Sequence, residues 1–142
     1  MKQELVNRTV NIGSDEQKLK KVLVVDDEPH IVNLIRMSLD DTKFRVFGAY
    51  SAVEALELVK KQVPDVFVID LMMPKIDGYK LCSMLREDSR TKNVPIIILS
   101  AKGQMKDKLN AIDVGADDYI TKPFDPLELE KRINLNLETA KI

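Results

Sequence analysis

The stretch Val66-Phe67-Val68-Ile69-Asp70 is an unbroken apolar run closed by a single acid. It has no polar face, so it is predicted to be a strand buried on both sides, as in a parallel sheet covered by helices. Val22–Asp26 and Ile96–Ser100 repeat the pattern, apolar residues leading to a polar end. Arg45–Ala49 and Tyr119–Thr121 are more polar and suit the edges of the sheet. Amphipathic stretches separate the five runs, giving five βα units and an α/β fold.

Local signals place the helices. Ser51 followed by Glu54 fits a capping box opening a helix, with Ala52, Ala55, Leu56 and Val59 at helical spacing. Asp125-Pro126 followed by Glu128 opens the last helix, with Leu129, Ile133 and Leu137 along one face. Asp77-Gly78 reads as a cap and flexible entry to the third helix. Residues 1–20 are polar and charged without a sustained period, so they are assigned to a tail or linker; residues 21–142 form the domain.

At 142 residues the chain holds one domain of ordinary size. Apolar residues make up 44% and charged residues 32%, the balance of a globular protein rather than a disordered one. A net charge of -1 provides no cationic field for phosphate backbones, so direct nucleic-acid binding is not expected. The single cysteine, Cys82, cannot form an internal disulfide, and the polar N-terminus lacks a signal-peptide core. No apolar run approaches the roughly 20 residues that span a bilayer. A cytoplasmic location without membrane contact is therefore expected.

The chemistry-bearing residues fall at strand ends. Asp26 and Asp27 close the first strand, Asp70 the third and Ser100 the fourth, while Lys122 follows the fifth. In an open α/β sheet the carboxyl ends of the strands form the ligand crevice, so these residues are predicted to converge. Three carboxylates at one point repel one another unless a cation sits among them. A hard, oxygen-seeking ion such as Mg²⁺ suits few carboxylates, a backbone carbonyl and several waters. Lys122 and the Ser100 hydroxyl then supply two donors for a phosphoryl group.

Taken singly, these residues have plainer readings. Asp-Asp after a strand is common in turns, and Lys122-Pro123 is a lysine entering a turn. Lone His30 after Pro29 is read as exposed, not as a metal ligand. In combination, VVDDE (24–28), VIDLMMPKIDG (68–78), IIILSA (96–101) and DYITKPF (118–124) resemble the signature of the response-regulator receiver domain of two-component signal transduction, a flavodoxin-like family. The likeness runs from Lys21 to about residue 140. It implies a doubly wound (βα)5 fold, a five-stranded parallel sheet in order 2-1-3-4-5 with helices on both faces.

The resemblance also implies roles. Asp70 is the nucleophile that accepts a phosphoryl group from the phosphohistidine of a sensor histidine kinase or histidine phosphotransfer protein. Asp27, Asp70 and the Met72 backbone carbonyl would ligate Mg²⁺, or Mn²⁺ in its place, with Asp26 acting through water. Ser100, Ala101 and Lys122 would receive the phosphoryl group, Ala101 by being small. Many relatives carry Thr where this chain has Ser100. Tyr119 and Ser100 would form the switch, and Met72 and Lys102 would tune phosphate lifetime.

The output face would comprise the fourth helix, fifth strand and fifth helix. Lys108 with Glu128, and Asp118 with Arg132, would pair across a twofold axis in a phosphorylation-promoted homodimer. Thr139 departs from the pattern, standing where those relatives carry a basic partner for Asp117. A receiver modifies only itself and is not a turnover enzyme. Two rivals share the architecture: a Mg²⁺-dependent aspartyl-phosphate phosphohydrolase and a flavodoxin-like nucleotide- or flavin-binding module. The first usually has an acid two residues after the nucleophile, where this chain has Met72. The second needs a Gly-rich phosphate loop where this chain has Asp26-Asp27-Glu28-Pro29.

Overall fold

The structure, a computed structural model, describes residues 19–73, 77–101 and 115–140. Its elements are β1 (Lys20–Val25), α1 (Pro29–Ser38), β2 (Phe44–Ala49), α2 (Ala52–Lys61), β3 (Val66–Asp70), α3 (Gly78–Glu87), β4 (Ile96–Ala101), β5 (Asp118–Lys122) and α4 (Pro126–Ala140). The fourth helix of the sequence reading lies outside the described residues, so α4 is the fifth helix of that reading.

All strands pair in parallel in the order β2-β1-β3-β4-β5. The fold is the (βα)5 arrangement predicted, with the two polar strands at the edges. The apolar runs occupy the centre because alternate residues there face opposite helical layers, leaving no position for a polar side chain. Leu23, Val25, Phe67, Ile69, Ile96 and Ile98 pack with Ala52, Ala55 and Val59 of α2 and Leu81, Cys82 and Leu85 of α3. Their sequence neighbours Val22, Val24, Val66, Val68, Ile97 and Leu99 pack with Val32 and Ile35 of α1 and Leu129 and Ile133 of α4.

The helix starts follow the local chemistry. Ser51 Oγ accepts from Glu54 N at 3.1 Å and Asp77 Oδ1 accepts from Lys80 N at 2.9 Å, each satisfying one orphan donor of a first turn. At α4, Asp125 Oδ1 accepts from Leu127 N at 2.9 Å. Strand bounds shift by one or two residues from the sequence reading. β1 starts at Lys20, paired with Phe44, and ends before Asp26. Among the described residues, no helix is long and apolar enough to cross a membrane.

Candidate functional site

Strand register gathers the acids. β1 and β3 pair Val25 with Ile69, and one residue further along each strand stand Asp26 and Asp70. Asp26, Asp27 and Asp70 each offer an oxygen, and these atoms lie within 4.8 Å of one another. Asp26 is fully buried and Asp70 is 4% exposed, whereas Asp27 is open to solvent. On the other side, β4 and β5 pair Ser100 with Thr121 and Ala101 with Lys122. That register sets the hydroxyl, the small residue and the lysine side by side at the same sheet edge.

Lys122 Nζ reaches across to Asp26 Oδ2 at 2.9 Å and Asp70 Oδ1 at 3.6 Å. The Lys122-Pro123 peptide is cis. Backbone amides donate as well: Glu28 N to Asp26 Oδ1 at 3.0 Å, and Met72 N to Asp70 Oδ1, the oxygen that faces Lys122, at 3.2 Å. Burial pushes the Asp70 carboxyl up to about 6, with the Asp26 and Asp27 charges adding to the effect and Lys122 and the Met72 N–H opposing it. Burial works against the Lys122 ammonium, but the hydrogen bond it donates to Asp26 and the charges of Asp70, Asp26 and Glu28 outweigh that and raise its pKa.

Oxygen donors of this charge and spacing fit a hard divalent cation. Among the described residues Lys122 pairs with Asp26 and Asp70, and with Asp27 beside them the cluster keeps a negative excess that adds to the effect of burial on Asp70.

One contributor escaped the sequence reading. The sequence makes Gly78 a flexible helix entry, yet its backbone has no positive φ; it is small because α3 starts against β3. A Cβ there would stand 2.5 Å from the Asp70 carbonyl oxygen and 2.6 Å from Leu71 Cα. Gly78 N also donates to Leu71 O at 3.0 Å. The Asp77-Gly78 pair seven residues after Asp70 was the available signal.

The chain shares its fold and motifs with known proteins. A family model described as the response regulator receiver domain matches residues 22–134. The chain belongs to the response-regulator receiver family. It is 41% identical over 123 residues to the alkaline phosphatase synthesis transcriptional regulatory protein PhoP of Bacillus subtilis, covering 87% of this chain and 50% of PhoP. It is 39% identical over 115 residues to the DNA-binding dual master transcriptional regulator RpaA of Synechocystis, covering 81% of this chain and 48% of RpaA. The receiver domain of Francisella response regulator 1452 superposes with a TM-score of 0.76 at 38% identity, covering 84% of this chain and 98% of that domain. This receiver spans about half the length of the curated relatives it matches. As a member of the family it is a phosphoacceptor domain that acts on its own phosphorylation state.

Other site expectations stand as follows. Tyr119 is half-buried and packs against the core layer of α2 and α3. The Met72 side chain is 68% exposed. His30 is exposed, with Nε2 3.3 Å from Glu28 Oε2. Lys102 and Lys108 lie outside the described residues. Asp118 and Arg132, the pair expected across a twofold axis, also meet within the single chain: Arg132 Nη1 donates to Asp118 Oδ1 at 2.9 Å, and Asn136 Nδ2 to Asp118 Oδ2 at 2.9 Å. The reason is placement, since α4 follows β5 and lies alongside it. Arg132 also reaches Glu128 at 3.5 Å, one turn back on the helix.

Proposed function

We propose that Asp70 is the phosphorylated residue, taking its phosphoryl group from the phosphohistidine of a sensor kinase or phosphotransfer protein. The observation that carries this reading is a buried carboxylate at a strand end, 3.6 Å from Lys122 and within a three-acid cluster. An Asp70 oxygen attacks phosphorus as the P–N bond breaks, and the departing imidazole takes a proton from solvent. Asp70 must be ionised to attack, which holds above pH about 6.

Asp26, Asp27, Asp70 and the Met72 carbonyl would hold Mg²⁺ or Mn²⁺, which when bound supplies charge stabilisation to the phosphoryl oxygens. Asp26 keeps Lys122 at the mouth of the site, from where the ammonium can turn to a phosphoryl oxygen. Ser100 donates its hydroxyl to another oxygen, and Ala101 leaves room for the group. Movement of Ser100 toward the phosphoryl group draws Tyr119 inward and alters the β5 and α4 surface. Little covalent work is needed beyond this positioning.

The test is incorporation of labelled phosphate from a small phosphodonor with Mg²⁺. Wild type should take up one acid-labile phosphate per chain, and Asp70→Asn none. Labelling of Asp70→Asn at the wild-type rate overturns the assignment.

A further inference from the structure

Met72 and Met73 follow Asp70 directly after Leu71, and the fold treats them in opposite ways. Met73 is 7% exposed and belongs to the core layer of α2 and α3, while Met72 is 68% exposed. Met72 is nonetheless fastened to the site, because its N–H donates to Asp70 Oδ1 at 3.2 Å. An exposed methionine thus has its backbone anchored to a buried carboxylate. Oxidants in water reach exposed methionines and spare buried ones.

We propose that Met72 is an oxidation site, and that its sulfoxide shortens the life of the phosphoryl group on Asp70. The inference rests on phosphorylation of Asp70 as read above. The oxidant class is hydroperoxide. A sulfur lone pair attacks the hydroxyl-bearing peroxide oxygen, forming the S–O bond as the O–O bond breaks; the departing oxygen takes the proton from the new S–OH group and leaves as water from hydrogen peroxide, or as an alcohol from an organic hydroperoxide. Sulfur is oxidised by two electrons and the peroxide reduced by two.

The chemical consequence lies in water. A thioether is apolar and a weak acceptor, so an attacking water next to it gains no hydrogen bond. The sulfoxide oxygen is a strong acceptor that holds and orients a water at the mouth of the site, and general positioning of this kind speeds hydrolysis. The change is reversible by methionine sulfoxide reductases. The cysteine is a poor rival sensor, since Cys82 is fully buried and its thiol is pushed up to about 12, leaving no thiolate at neutral pH.

The experiment uses the full chain. It is treated with hydrogen peroxide, freed of peroxide, and its sulfoxides are located by peptide mass mapping. It is then phosphorylated with acetyl phosphate and Mg²⁺, and decay of the label is followed. Oxidised wild type should lose phosphate about tenfold faster than untreated protein, and reductase treatment should restore the slow decay. Met72→Leu should show no peroxide effect on its own decay rate. Met37→Leu, which removes a methionine 85% exposed on α1, should respond as wild type does. Unchanged or slower decay with Met72 fully oxidised overturns the inference and leaves the phosphoacceptor reading intact. So does an equal acceleration in Met72→Leu. Absence of label on untreated wild type overturns both.

Discussion

At the scale of single residues, Asp70 carries a cost that its proposed role as the phosphoacceptor would require. Its carboxyl is pushed from 3.8 to about 6, chiefly by burial. A carboxyl whose folded pKa lies above the unfolded value favours folding in its protonated form. That contribution is complete below pH about 3.8 and is lost as pH rises through about 6. A shift of roughly two units corresponds to about 3 kcal/mol at neutral pH. Asp70→Asn removes the charge, so in EDTA it should melt above wild type at pH 8, with the gap closing toward pH 4; an Asn variant melting below wild type at pH 8 would contradict this. Mg²⁺, if held at Asp70 as proposed, would compete with the same proton, so its affinity should weaken as pH falls through about 6, measured by titration calorimetry of wild type. Gly78 matters for a different reason. Gly78→Ala sets a methyl against the Asp70 carbonyl and Leu71 Cα, and backbone cannot swing aside as a side chain can. The expected loss is about 1–3 kcal/mol in denaturant melts, with slower phosphorylation. Asp70 and Asp26 were legible because each closes an apolar run, and Lys122 because it follows the last strand. The role of Gly78 was not, because it depends on how closely α3 meets β3, a contact that only the folded chain makes.

At the scale of elements, local bonds could be read from sequence and distant ones could not. Ser51, Asp77 and Asp125 bond to amides two or three residues ahead, so residue type and spacing suffice to predict them. Arg86 is the contrary case. From the last turn of α3 it donates to Gly115 O at 2.8 Å, Lys92 O at 3.1 Å, Val94 O at 2.6 Å and Asp117 Oδ2 at 2.6 Å. Asp117 in turn accepts from Ile96 N at 2.8 Å, the first residue of β4. This clamp joins α3 to the starts of β4 and β5 across up to 31 positions of sequence, and nothing near Arg86 announces it. It also engages Asp117, whose expected partner position holds Thr139. Truncation to Arg86→Ala leaves several carbonyls and a carboxylate without their donor, so a loss of about 2–4 kcal/mol is expected. Arg86→Lys should recover little, because one ammonium cannot span the fan of acceptors that the guanidinium fork reaches. Arg90→Ala serves as the comparison. Its partner Asp88 is two residues away and the pair faces solvent, so denaturant melts should scarcely move.

At the scale of the whole molecule, the question is what a phosphorylated receiver does with its surface. The Asp118–Arg132 pair is already made within the chain and is reinforced by Asn136 and Glu128. A twofold contact that exchanged it for the same pair between chains would trade one partly exposed ion pair for another. Such pairs are worth about 0–1 kcal/mol, so the exchange provides almost no driving force. Apolar contact has to supply it. Leu135 on α4 is 50% exposed and follows Glu128 and Arg132 at the spacing of one helix face. In a symmetric contact any residue buried at the centre counts twice, once from each chain. Self-association on activation is therefore expected to depend on Leu135 more than on Arg132. Sedimentation with Mg²⁺ and beryllofluoride should show wild type associating and Leu135→Asp remaining monomeric. Arg132→Ala, which leaves the apolar contact in place, should weaken association by no more than about fivefold. Equal loss in the two variants would return the role to charge pairing. A wild type that stays monomeric when activated at high micromolar concentration would assign the face to a different protein, for which Leu135 would be the first residue to test.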